Sequence, residues 1–561
     1  MKTIVIVNSS VPVPYRRVSK SIFEILDHLG ILYEIWDLSW VRVAEQELKD
    51  ISLFIIGQEG IGKTLGEEEF NAILKKVSQG MGLVIFDGYL KGYLPGFLEN
   101  IGIETFDEEK SNLIKILPDD WLSKLSAKTE ILVKQPIVCY PLKKLPKTLS
   151  PFLVNESNLP IGIITQFGKG KIVLFSISAG IWQDEYLGHT AGLDGIFWRA
   201  LVWAAKKPFI MKGIPPFVTA RIDDVSASGS PVAKNKETVE KFQYLEIMNK
   251  YNFIPNLGLF IDDIQKQDGE IIKEKYFSGK AEFSPHAFSD PKNINEFPIY
   301  MKHNGEEFST EILMENFEKV DRKFANWSIK VSETVNAHFG EIGIKSLPFL
   351  KERHQRYLMN IIRVGKPFSD KKAHQWELKP YGKINFSLDY IPEDKEIFNV
   401  MSLPGGEFSS DKPDFDFLYG CTSFWNENSH TDIKKAIERG IYQIKMGLEN
   451  MFFGCLTTHE QRISHIKLED WEEIIKGIYF ELKQNQHLFK SYDYISNYVE
   501  NRTHYQFVNA EYKKDEMVIS VKGKNKMTQF FYIFTEENGI VKQSFLEIPP
   551  FEKFVILNFK V

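Results

Sequence analysis

Two adjacent carboxylates end an apolar run at Phe217-Val-Thr-Ala-Arg-Ile-Asp-Asp224. Charges at the end of a buried strand are costly unless they bind a cation or exchange protons. Strand side chains alternate between faces, but a strand end can turn Asp223 and Asp224 into one pocket. One carboxylate then holds a metal while the other serves as a base. Val225-Ser-Ala-Ser-Gly229 follows at once, so a helix-capping or turn pair is the competing explanation. Histidines at other strand ends favour the chemical one. Ala281-Glu-Phe-Ser-Pro-His-Ala-Phe-Ser-Asp290 places His286 and Asp290 four residues apart. One helical turn after Pro285 would set both around a shared cation, although Pro291 disfavours helical geometry at Asp290. A hydrogen-bonded structural histidine is the plain alternative at position 286. Phe452-Phe-Gly-Cys-Leu-Thr-Thr-His459 reads as a buried strand that delivers a histidine at its C-terminal end. His338, in Asn336-Ala-His-Phe-Gly340, is an alternative ligand or a substrate contact. Asp389 is either an orienting group or a surface aspartate, and His303, His354 and His374 lie in polar context and read as surface residues.

The elements that must position these groups belong to a long chain. With 561 residues, about three domains are expected. A composition of 43% hydrophobic and 26% charged residues is that of a soluble globular protein. The formal net charge of −6 argues against a general nucleic-acid binder. Three cysteines, Cys139, Cys421 and Cys455, exclude a disulfide framework and offer no CxxC metal site. The opening Met-Lys-Thr-Ile-Val-Ile-Val-Asn has too short an apolar run for a signal peptide, and no stretch approaches a membrane span. A cytoplasmic protein with no membrane partner is the expectation, or an extracytoplasmic one if a leader has been removed.

Residues 1–210 alternate short apolar strands (Ile4–Val7, Leu53–Ile56, Leu83–Phe86, Lys171–Phe175) with amphipathic helices such as Glu67–Gln79, and close on the Trp-rich helix Phe197–Trp203. That is a βαβ pattern and predicts a doubly wound parallel sheet. Met211–Pro216 reads as a linker. Residues 215–495 repeat the alternation over longer units, with strands near Val218–Ile222, Pro255–Phe260, Ala281–Phe283, Thr334–His338, Lys383–Leu388, Phe417–Thr422 and Phe452–Thr457. Seven such strands suit an incomplete (β/α) barrel with functional residues at the C-terminal strand ends. Residues 500–561 predict a small antiparallel sheet packed on the barrel. The fold class expected is therefore α/β with a C-terminal β domain.

Gly57-Gln-Glu-Gly-Ile-Gly-Lys-Thr64 satisfies the P-loop pattern, follows a strand and precedes a helix. Leu65-Gly66 interrupts, however, and the helix more plausibly begins at Glu67-Glu-Glu, where three acidic residues repel phosphate. An ordinary glycine-rich turn is the better explanation. Through Gly80-Met-Gly-Leu-Val-Ile-Phe-Asp-Gly88, Gly168-Lys-Gly-Lys-Ile-Val-Leu-Phe175 and the Phe197–Pro208 helix, this part resembles the glutamine-amidotransferase-like domains, including the β-galactosidase trimerisation type. The nucleophilic cysteine that an active amidotransferase requires after Leu83–Phe86 is replaced by Asp87-Gly88-Tyr89. The resemblance thus implies a packing or homo-oligomerisation module without catalysis.

The middle of the chain resembles the NodB-type polysaccharide deacetylase superfamily over roughly residues 215–490. Arg221-Ile-Asp-Asp224 stands at the family's Thr-Phe-Asp-Asp, Ser284-Pro-His286…Asp290 at its His-x-x-x-His, and Leu456-Thr-Thr-His459 at its late Leu-x-Leu-His. The resemblance implies Asp223 as general base, His459 as general acid, and Asp224, His286 and Asp290 as ligands of a divalent metal, most simply zinc. The substrate it implies is an acetylated carbohydrate that loses its acetyl group to a metal-activated water. Arg221, His338, Trp376 and Trp425 are the expected substrate contacts. Two departures stand out: Asp290 replaces the second histidine, and there is no clear Arg-Pro-Pro motif. Alternatives are a glycoside hydrolase or lyase using carboxylates such as Asp223 and Glu341, or a carbohydrate-binding protein with a decayed site.

Overall fold

A computed structural model describes residues 2–103, 107–124, 126, 128–230, 233–290, 295–359, 362–373, 388–400, 416–422, 431–483, 486–513 and 515–560. It divides into two compact units, one of residues 1–215, 449–451 and 501–561, the other of residues 216–448 and 452–500.

The first unit is built on nine strands: β1 (Lys2–Val7), β2 (Tyr33–Asp37), β3 (Ile51–Ile56), β4 (Gly82–Phe86), β5 (Glu109–Ile116), β6 (Glu130–Cys139), β7 (Ser150–Asn155), β8 (Pro160–Phe167) and β9 (Gly170–Phe175). Their order is β2-β1-β3-β4-β9-β8-β7-β5-β6. The five strands from β2 to β9 run parallel, and β8, β7, β5 and β6 extend the sheet antiparallel. The parallel strands are the continuous apolar runs of the sequence. β3, β4 and β9 are buried at every residue, as strands covered on both faces must be. The antiparallel half was not legible as strands, because its residues mix polar and apolar without a long run.

The P-loop-like segment is closed on itself. Gly60 N donates to both carboxylate oxygens of Asp87 at 3.0 and 3.1 Å, and the following helix starts at Glu67. An internal carboxylate thus takes the amide that a phosphate would need. Asp87 also accepts from Tyr89 N and the Tyr93 hydroxyl, and burial pushes its carboxyl up to about 7. Cys139 ends β6, and burial pushes its thiol up to about 12, which removes the thiolate a nucleophile requires.

The second unit opens with β11 (Phe217–Val225), which follows the short β10 (Phe209–Met211) of the first. β12 (Pro255–Phe260), β13 (Glu282–Asp290) and β14 (Asn295–Phe297) come next, then β15 (Thr334–Val335), β16 (Tyr357–Leu358), β17 (Leu388–Ile391), β18 (Asp394–Val400), β19 (Gly454–His459) and β20 (Leu488–Phe489). One sheet has the order β14-β13-β12-β11-β19, with β20 also on β11. A second has the order β15-β16-β18-β17. Among the described residues these strands make two sheets rather than one closed barrel. β11 through β13 and β19 are mutually parallel, so their C-terminal ends share one edge. All nine residues of β11 are buried, which places its two terminal aspartates inside the protein rather than on a surface turn.

One strand expectation needs correction. Residues 417–422 form turns with an isolated bridge between Tyr419 and Thr422, since Gly420 and the preceding Asp416 favour a turn over a ladder. Of the segment Lys383–Leu388, residues 383–387 lie outside the described residues.

The last strands are β21 (Tyr505–Lys513), β22 (Glu516–Asn525), β23 (Gln529–Glu537), β24 (Ile540–Ile548) and β25 (Phe551–Lys560). They are antiparallel, as the alternation suggested, and they belong to the first unit. β10 supplies the reason: it pairs with β23, Phe209 opposite Phe534, and completes the sheet β10-β23-β24. No helix among the described residues is long and apolar enough to cross a membrane.

Candidate metal and proton-transfer site

The site gathers at the shared strand edge of the second unit. Asp223 and Asp224 would face opposite sides of an ideal strand. β11 breaks that rule at its end: its register against β12 shifts between Ile222 and Val225, and Asp224 has a φ of 56°. A left-handed residue costs on the order of 1–2 kcal/mol, and aspartate tolerates it better than most. The irregularity is what lets neighbouring carboxylates work as separate groups in one place. Glu460 secures the loop beyond, accepting Ser226 N at 2.8 Å and Ala227 N at 2.7 Å.

Asp223 is held by three donors. Arg221, on the same face two residues earlier, grips it through Nε (2.8 and 3.0 Å) and Nη2 (2.8 Å), and Asn336 Nδ2 donates to Oδ1 at 2.7 Å. Burial works to raise its carboxyl, but the charges of Arg221 and His286 outweigh that and leave it below its ordinary value. Arg221, expected at the substrate, is instead buried, with Nη1 donating to the Met359 carbonyl. The arginine that grips Asp223 comes from the same strand, two residues earlier.

Asp224 faces two histidines. Its Oδ1 lies 3.1 Å from His286 Nε2 and 3.8 Å from His338 Nε2, and the three residues form a compact buried group with donor atoms within 4.8 Å of one another. Burial tends to raise its carboxyl, yet the charge of His459 works to hold it below the ordinary carboxylate range. His286 Nδ1 sits 2.7 Å from the Asn336 carbonyl. A carbonyl only accepts, so Nδ1 carries the proton and Nε2 turns a lone pair toward Asp224 unless the ring is doubly protonated.

Asp290 is not part of this group. β13 stays extended through Asp290, so the helical turn expected after Pro285 does not form. Four residues of extended chain span about 13 Å, which separates Asp290 from His286. His338, 52 residues beyond His286 in sequence, completes the group instead. It follows β15 in the turn His338–Gly340, where Phe339 adopts a φ of 52°.

His459 pairs in register with Asp223 across β11 and β19. Its Nδ1 lies 2.7 Å from Asp416 Oδ2, which Arg462 Nε also meets at 2.8 Å, while Thr458 Oγ1 donates to Oδ1 at 2.7 Å. Burial works against the imidazolium, but Asp416 and the charges of Asp224 and Asp223 raise His459 to about 9. The sequence offered no local signal for Asp416, 43 residues before its partner. Asn336, although quoted in the His338 motif, was missed for the same reason. His303, expected at the surface, packs its ring 5.8 Å from His338 and bonds Glu341 at 2.5 Å; His354 is exposed. Glu341 is buried and also accepts Phe368 N at 2.8 Å. Trp376, Trp425 and His374 lie outside the described residues, and Asp389 falls on β17.

Gly258 of β12 makes room for the group. A Cβ there would lie 2.8 Å from both His286 Nδ1 and Asn336 Nδ2, too close for either side chain to stay in place. Gly258→Ala is expected to displace the His286 and Asn336 side chains, seen as shifted imidazole resonances in the NMR spectrum with the far-ultraviolet circular dichroism unchanged.

No family model and no curated protein matches this chain. Solved structures that match include a Mycobacterium smegmatis protein named for polysaccharide deacetylases, 11% identical over 52% of this chain and 93% of that one, with a TM-score of 0.33. A Parabacteroides distasonis protein named as a glycoside hydrolase/deacetylase is 10% identical over 60% of this chain and 86% of that one, at 0.29. A β-galactosidase from Bacillus circulans sp. alkalophilus is 16% identical over 37% of this chain, at 0.25, and the match spans only 33% of the galactosidase.

Proposed function

We propose that the second unit is an incomplete (β/α) barrel of the deacetylase kind and that it removes acetyl groups from an acetylated carbohydrate with a divalent metal, most simply zinc. One observation carries the metal reading. Asp224 Oδ1 is buried with no hydrogen-bond partner among the described residues, and a lone-pair nitrogen of His286 lies 3.1 Å away. Two acceptors facing each other in a buried place repel unless a cation lies between them. The donor chemistry fits: one carboxylate and two imidazoles suit zinc, and His286 Nδ1 on a backbone carbonyl is the usual outer support of a ligating histidine.

Such an ion polarises an acyl carbonyl and makes nearby water more acidic. The residues around it divide the proton work. Asp223, ionised and fixed by Arg221 and Asn336, accepts the proton of a water as its oxygen bonds to the acetyl carbon. His459, an imidazolium held by Asp416 through Nδ1, gives its Nε2 proton to the departing nitrogen or oxygen as the acyl bond breaks, releasing acetate. The carbohydrate assignment rests on the order of the NodB-type motifs. Beside His338, Phe339 is 43% exposed and stacks on Phe368 with ring centroids 5.4 Å apart, an aromatic flank of the kind that accepts the apolar face of a sugar.

The test is metal content by elemental analysis in wild type, Asp224→Ala and His286→Ala, followed by an acetate-release screen on acetylated oligosaccharides. About one ion per chain is expected in the wild type and none in either variant. A wild type that stays metal-free after incubation with zinc, cobalt and nickel would sink this mechanism.

A further inference from the structure

Glu296 stands on β14, the short antiparallel neighbour of β13, where nothing in the sequence marks it as chemical. Its Oε2 lies 3.2 Å from His338 Nε2, the same nitrogen that faces Asp224 Oδ1 at 3.8 Å. A residue supporting a ligating histidine from outside would bond the other ring nitrogen. That nitrogen, His338 Nδ1, is buried and has no hydrogen-bond partner among the described residues. Glu296 is therefore on the inner side of the imidazole, together with Asp224.

Glu296 meets the group through His338, at the spacing of neighbouring ligands, while Asp224, His286 and His338 are the three whose donor atoms all lie within 4.8 Å of one another. Ligands about 2.0–2.1 Å from a tetrahedral zinc are roughly 3.3 Å from one another. The successive separations His286 Nε2 to Asp224 Oδ1, Asp224 Oδ1 to His338 Nε2 and His338 Nε2 to Glu296 Oε2 are 3.1, 3.8 and 3.2 Å. Two carboxylates and two neutral imidazoles also balance a doubly charged cation. The side chain is 29% exposed, so unlike Asp224 it can withdraw toward solvent when another oxygen takes its place.

Resting on the metal-site reading, we propose that Glu296 is a fourth, displaceable carboxylate ligand of the same ion, closing its coordination when no substrate is bound. A catalytic zinc site keeps one position for water or substrate, and Glu296 reserves that position in the resting protein.

Zinc affinity by chelator competition and the visible spectrum of the cobalt-loaded protein test this in wild type, Asp224→Ala, Glu296→Gln and Glu296→Asp. Glu296→Gln should weaken zinc binding about 10- to 100-fold and alter the cobalt bands, while Glu296→Asp keeps part of both. Unchanged circular dichroism shows that the variants fold, as a partly exposed residue at the end of a short strand predicts; should Glu296→Gln fold poorly, Glu296→Asp alone decides. Zinc affinity within twofold of wild type and an unchanged cobalt spectrum in the folded variants would overturn the role of Glu296 while leaving the three-ligand site intact. A wild type that binds no zinc would instead remove the site itself, and this inference with it.

Discussion

Asp223→Asn is expected to lower acetate release by about 10²–10⁴-fold, the usual worth of a positioned general base, while zinc content stays near one per chain. The separation of the two readouts follows from the wiring. Asp223 is tied to Arg221 and Asn336, whereas the group facing the histidines is Asp224. An amide can still accept from Asn336 and Arg221, but it takes no proton and no longer neutralises the guanidinium. Arg221 is 7% exposed, so the variant also leaves a buried charge without its counterion, a change that costs about 3–5 kcal/mol when a buried pair is broken. The variant should therefore unfold at lower denaturant concentration than wild type. Asp223→Asn combined with Arg221→Met removes both members of the pair and should recover most of that stability with no recovery of activity. Recovery of activity in the double variant would show that Asp223 acts through folding alone.

How far the site could be read from sequence depends on how local each relationship is. The aspartate pair, His286 and His459 were visible because each ends an apolar run, and an apolar run bounded by polar residues is what a buried parallel strand looks like. Asp290 was grouped with His286 because a spacing of four suggested a helical turn. β13 instead continues as a strand that pairs through Asp290 with Asn295, and the ladder overrides the local spacing. His338, Glu296 and Asp416 share no strand or motif with the groups they meet; they arrive from a turn after β15, from the antiparallel β14 and from the segment before the 417–422 turns. The same limit applies to the fold. The parallel core of the first unit was legible, whereas the assignment of the C-terminal strands turned on three residues, Phe209–Met211, too short a run to read as a strand and in fact the edge of their sheet.

In the proposed mechanism Asp416 controls the alkaline side of the reaction. His459 must be protonated to serve as an acid, so its contribution is present below its pKa and lost as pH rises through it. Asp416 keeps that pKa above the ordinary histidine value, so the rate should hold through neutral pH and fall on the alkaline side. Asp416→Asn removes the charge that meets Nδ1 at 2.7 Å and brings the alkaline limb down toward the ordinary histidine value of about 6.5. At pH 8 the variant should therefore be about tenfold or more slower than wild type, and at pH 6 much closer to it. The same linkage acts on stability. A folded-state pKa above the unfolded one means that the stabilising contribution of His459 is complete below about 6.5 and disappears as pH climbs through about 9. In the variant that pH dependence should flatten. His459→Gln, which has no proton to give at any pH, should lower the rate about 10²–10⁴-fold and remove the alkaline limb. An Asp416→Asn profile that falls at the same pH as wild type would show that the limb belongs to another group, and the acid would then have to be sought away from β19.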